Sequence, residues 1–119
     1  MSDTGTLRGD LLAWAETSVA SIRTPEGRAL VRAVALSMPS NVRTQDERAQ
    51  HFRRRMHSIE QIRQRATARG EDPPPLEQIL DQLVAPFYLR AIFAIDPPAT
   101  GYPELLVDRL LGNGGTGTD

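Results

Sequence analysis

The chain has 119 residues, 39% hydrophobic and 24% charged, with a net charge of −1 and no cysteine. These figures fit one globular domain with a single core. They exclude disulfide and thiolate chemistry, and they give no electrostatic reason for a nucleic-acid or membrane partner. No apolar run reaches membrane-spanning length, and the opening MSDTGTLRGD is too polar for a signal peptide, so a soluble cytoplasmic protein is expected.

Residues 1–6 read as a frayed start. A first helix is expected from about Leu7 or Asp10 to Arg23, with Leu11, Leu12, Ala15, Ser18, Val19 and Ile22 as its buried stripe and Trp14 on its flank. Thr24 can cap a second helix and Pro25 suits its first position, where the missing N–H costs nothing. That helix, Pro25 to Met38, is apolar over most of its circumference, which predicts a central place in the bundle. Pro39-Ser40-Asn41 breaks the chain. A long outer helix follows from about Thr44 to Arg69, with Ala49, Phe52, Met56, Ile59, Ile62 and Ala66 as a narrow apolar seam and Gly70 as its cap. Glu71-Asp72-Pro73-Pro74-Pro75 forms a stiff linker.

The stretch from Leu76 to Ile95 organises the rest. Its first half is one-sided, with Leu76, Ile79, Leu80, Leu83, Val84 and Phe87 on one face. Its second half is apolar nearly all round, leaving only Arg90 polar. Pro86 is expected to bend it rather than end it. A helix apolar on every side must be covered on every side, and a chain this small can cover one. The other side predicts a second copy of the protein. After the turn at Asp96-Pro97-Pro98-Ala99-Thr100-Gly101, a short last helix spans Pro103 to Leu111, and residues 112–119 form a Gly/Thr tail expected to be disordered. No strand pattern is present.

Four stretches in order carry a family resemblance. They are Asp3-Thr4-Gly5-Thr6-Leu7-Arg8-Gly9-Asp10-Leu11-Leu12, Arg23-Thr24-Pro25-Glu26-Gly27-Arg28-Ala29-Leu30, Ala85-Pro86-Phe87-Tyr88-Leu89-Arg90 and Leu105-Leu106-Val107-Asp108-Arg109-Leu110-Leu111. With the proline linker between them, residues 3–111 resemble the C-terminal ligand-binding and dimerisation domain of TetR-family transcriptional regulators. The resemblance implies an all-α, five-helix bundle that forms a homodimer through a four-helix interface of its last two helices. It further implies a pocket for a small-molecule effector, whose identity the residues do not give, and a bacterial source. DNA contact would fall to an N-terminal helix-turn-helix domain, for which nothing before Asp3 leaves room. The alternative is a stand-alone helical dimerisation or protein-interaction module without a ligand.

Aromatic and methionine side chains suit adaptable apolar cavities, so Trp14, Met38, Phe52, Met56 and Tyr88 are the candidate pocket residues, with plain core packing as the other reading. The candidate dimer residues are Leu83, Phe87, Arg90, Phe93, Leu106 and Leu110. A guanidinium in apolar surroundings needs an acceptor. For Arg90 that is either an acid such as Asp108 or Glu104, within or across the dimer, or the carboxylate of an anionic ligand.

Charge is uneven along the chain. Residues 41–70 hold eight Arg against three acids, and residues 71–119 hold two Arg against eight acids. Segments of opposite sign are expected to lie near each other. The arginines of 43–69 scatter around their helix without interleaved aromatics, which argues for a solvated face rather than a DNA-binding stripe. His51 and His57 point about 120° apart on a helix and cannot share a metal. No cofactor, metal site or catalytic motif is indicated, so an enzyme is not expected.

Overall fold

The computed structural model describes residues 4–36 and 44–112, and within them every regular element is helical. The elements are α1 (Leu7–Ile22), α2 (Pro25–Leu36), α3 (Gln45–Arg55), α4 (His57–Ala68), α5 (Leu76–Ile79), a π-turn (Leu80–Val84), α6 (Ala85–Phe93) and α7 (Tyr102–Leu111). The expected break at Pro39-Ser40-Asn41 and the tail beyond Gly112 lie outside the described residues.

Local sequence rules explain most helix ends. Thr6 caps α1, its Oγ accepting from the Gly9 N–H. Thr24 caps α2 in the same way, accepting from the Gly27 N–H at 3.0 Å, with Pro25 in the first position. Gly27 is required there, because a Cβ would collide with the Ser21 carbonyl where α1 turns into α2. Thr44 and Glu47 form a reciprocal capping box at the start of α3, each side chain accepting from the other's N–H. At the end of α4, Glu71 N–H bonds Ala66 O and Gly70 N–H bonds Thr67 O, with Gly70 at φ +87°. These are the two bonds of a Schellman motif, and the positive φ needs glycine.

The hub is α1, which packs against α2, α4, α6 and α7. Leu7, Leu11, Ala15, Val19 and Ile22 are buried, and the core they enter includes Ile59, Ile62, Ile79, Leu83, Phe87 and Val107. The expectation of a central α2 is therefore corrected. Among the described side chains of α2, Ala29, Leu30 and Ala33 are exposed, Leu30 by 64%, and the helix packs onto α6 and α1. Counting apolar residues around a helix does not reveal which side the bundle covers.

Two other expectations change in form. The single helix of 44–69 is two, broken at Met56, whose φ/ψ of −92°/20° leaves the helical region while its side chain is buried. No Pro or Gly marks the break. Residues 76–93 do form one rod, and Pro86 is accommodated by the π-turn just ahead of it. Proline removes one N–H and its ring crowds the carbonyl four residues back, here Gln82. In the widened turn the Ala85 N–H reaches back five residues to Leu80 O. The rod ends at Phe93, with Ala94 left-handed at φ 54° and the Ile95 N–H on Arg90 O.

Candidate functional site

Trp14, Thr17, Ser18 and Ser21 lie at i, i+3, i+4 and i+7 on α1 and so share one face. Opposite them stand Val31 of α2 and Phe87 and Tyr88 of α6. Together with Ile22 at the floor, these residues enclose a cleft of about 190 Å³. It is smaller than the roughly 300–1,000 Å³ of typical small-molecule sites. The Trp14 and Phe87 rings meet edge to face at 5.6 Å, and Phe87 meets Tyr102 in the same manner at 5.9 Å. That column ties the cleft to α7. The Ser18 hydroxyl donates to Trp14 O at 2.9 Å.

Of the expected pocket residues, Trp14 and Tyr88 line this cleft. Met56 does not, since it is buried at the α3–α4 break. Met38 and the Phe52 side chain lie outside the described residues. The α1 hydroxyls were missed in the sequence, although their spacing from Trp14 was readable.

A second depression, about 510 Å³, runs along the outer side of the rod between Leu80, Asp81, Ala85, Pro86, Leu89 and Ile92. Tyr88 lines it as well as the cleft. Leu89, in its lining, is 54% exposed and Phe93, one turn further along α6, 66%; Ile95 and Leu105 are exposed as well. Leu89 and Phe93, four positions apart on α6, share a face, and large apolar side chains grouped in this way usually mark a contact. Of the expected dimer residues only Phe93 lies on this face. Leu83, Phe87, Leu106 and Leu110 are buried within the chain itself, so they offer a partner no surface. An all-round apolar helix needs two partners, and its sequence does not say which side each one takes.

Within the chain, Arg90 pairs with neither Asp108 nor Glu104. Its Nε donates to the Tyr102 hydroxyl at 3.0 Å, its Nη1 to Asp96 O at 2.9 Å, and its guanidinium lies 4.8 Å from the Tyr102 ring centre. Asp108 pairs instead with Arg8 at 2.8 Å, joining α7 to α1. Arg23 donates to Pro98 O, and Arg28 contacts Ile22 O and Asp96. Three arginines thus hold the 94–101 turn, which fixes where α7 leaves α6.

One buried charge escaped the sequence reading. Asp10, fully buried, accepts from the Thr4 N–H at 2.7 Å and the Thr4 hydroxyl at 2.8 Å, and faces Arg69 at 3.5 Å and Arg65 at 3.7 Å. Burial alone would raise its pKa. The two Thr4 hydrogen bonds and the two guanidiniums outweigh burial and hold it below the usual carboxylate range. Glu71 accepts from the Leu7 N–H and from Arg69, the Leu7 bond being the larger reason its pKa is lowered. The carboxylates therefore tie the incoming chain at 4–7 to the end of α4. Among the described residues, the basic 41–70 segment finds its acids in Asp10, Glu60 and Glu71, so of the acidic 71–119 segment it meets only the first residue.

Among the described residues, no group of three His, Cys, Asp or Glu side chains is placed to hold a metal, and no helix is long and apolar enough to cross a membrane. An all-helical domain with a small aromatic cleft beside an uncovered apolar helical face is the class these features define. The family model described as "Tetracyclin repressor-like, C-terminal domain" matches residues 1–110, and the chain belongs to that family. Domains of this family are parts of transcription regulators and imply homodimerisation. No curated protein and no solved structure matches the chain.

Proposed function

We propose that the chain is the effector-sensing and dimerisation domain of a TetR-type regulator, acting in the cytoplasm. A small molecule enters the cleft between α1, α2 and α6. Two copies meet through the outer face of α6 and α7, and DNA is contacted by a helix-turn-helix domain elsewhere in the regulator. The observation that carries this reading is the position of Tyr88, which lines the cleft on one side and the outer groove on the other. A ligand that displaces this ring alters the surface a second copy docks on. The response is then a population shift, limited by the ligand's differential affinity for the two dimer geometries.

The test uses Trp14, the single tryptophan of the chain, which lies in the cleft wall. Small molecules are screened for saturable change in its fluorescence, and hits are checked for their effect on the dimer dissociation constant. A sensor gives hits that change both. A helical interaction module without a ligand gives no saturable response.

A further inference from the structure

From the cleft's size and its inventory of donors and acceptors, we infer that its ligand is a small neutral aromatic carrying a hydrogen-bond donor, of the phenol or aryl-alcohol class. This deepens the effector reading and rests on it. The volume, about 190 Å³, sets the scale. An apolar cavity of about 150 Å³ accepts benzene, so this one takes a single substituted ring and little more. Trp14, Phe87 and Tyr88 supply the aromatic walls, matching the offset and edge-on geometries that rings prefer.

Charge narrows the class. None of the described residues lining the cleft is ionised. Arg28, on the same helix as the Val31 wall, is turned to the Ile22 carbonyl and Asp96 instead. A carboxylate or ammonium would enter without a counter-ion, which is costly. The α1 hydroxyls narrow it further. Ser18 has already committed its proton to Trp14 O, so toward the cleft it can only accept. Thr17 and Ser21 line the same edge, and their hydroxyls engage no partner among the described residues. The Ser18 oxygen is therefore the group of this edge that can only accept, while the Thr17 and Ser21 hydroxyls can donate or accept; a ligand O–H or N–H aimed at Ser18 satisfies it, and a purely hydrocarbon ligand does not.

The experiment titrates phenol, toluene, benzoate and benzylammonium into the protein at neutral pH, read by calorimetry and by Trp14 fluorescence. Phenol binds most tightly. Toluene is weaker, and the two ions are weaker than phenol by about tenfold or more. Ser18→Ala weakens phenol by about two- to tenfold, the worth of one hydrogen bond, and leaves toluene unchanged. Benzoate or benzylammonium binding as well as phenol overturns the assignment, and so does equal weakening of toluene by Ser18→Ala or the absence of phenol binding. Val31→Phe, checked for an unchanged circular-dichroism spectrum, fills the cleft and separates the two levels of the account. A charged effector from the wider screen that Val31→Phe excludes overturns the ligand class and keeps the cleft. An effector indifferent to Val31→Phe overturns the cleft itself.

Discussion

At the scale of single residues, Asp10 concentrates the most consequence. Its carboxylate is fully buried and serves Thr4, Arg65 and Arg69. Asp10→Asn keeps an acceptor for the Thr4 N–H but leaves two guanidiniums without their shared acid. A loss of about 2–4 kcal/mol at neutral pH is expected from urea unfolding, in line with the breaking of buried pairs. Asp10, Glu71 and Asp108 all ionise more readily in the folded chain. Their stabilisation is therefore complete above the unfolded values, about 3.9 for Asp and 4.3 for Glu, and is lost as pH falls through the lower folded values. Unfolding midpoints measured from pH ~5 down to pH ~2 should fall steeply for the native chain and less steeply for Asp10→Asn; equal slopes would exclude Asp10 as a contributor. Phe87→Ala removes the ring shared by Trp14 and Tyr102 and should cost about 3–5 kcal/mol by the same measurement. The sequence showed that Arg90 needs an acceptor. It did not show Asp10, because Arg69 lies 59 positions away and only the fold brings the two together.

Among the elements, those specified by neighbours in sequence were legible. The Thr24 cap, Pro25 in the first turn, Gly70 past the end of α4 and the seam Met56, Ile59, Ile62 and Ala66 follow from rules that span a few residues. The break at Met56 and the π-turn were not, since no local residue type demands a break and proline permits either a kink or a widened turn. Two substitutions test these accounts. Pro86→Ala restores the missing N–H, so residues 80–84 should revert to α-helical hydrogen bonding, visible as a gain in amide exchange protection of residue 86 and the preceding turn. Ala94 is a left-handed alanine at the end of α6. Ala94→Gly removes that strain and should stabilise the fold by about 1 kcal/mol. No gain in thermal midpoint would place the strain elsewhere.

The molecule as a whole divides its apolar residues into two sets. An inner set (Leu11, Ile59, Leu83, Phe87, Val107) closes the core and one wall of the cleft, and an outer set (Leu89, Phe93, Ile95, Leu105) faces away from it. The sequence showed that the rod had too many apolar residues for one core, which was enough to expect a partner. It could not sort them, because sorting needs the angle at which α1 and α7 lie against the rod. Tyr88 stands between the two sets. Replacing it with Ala should leave effector binding measurable while removing its effect on the dimer constant, the signature of a residue that transmits rather than holds.

The most direct test of this division is sedimentation equilibrium of the native chain beside Phe93→Arg and Leu105→Arg at micromolar concentration. Both positions are exposed, so both variants should keep the native helix content. The account predicts a dimer for the native chain and monomers for both variants, a charge on an uncovered apolar face being harmless to the fold and costly only to the contact. A native chain that sediments as a monomer, or variants that remain dimeric, would contradict it.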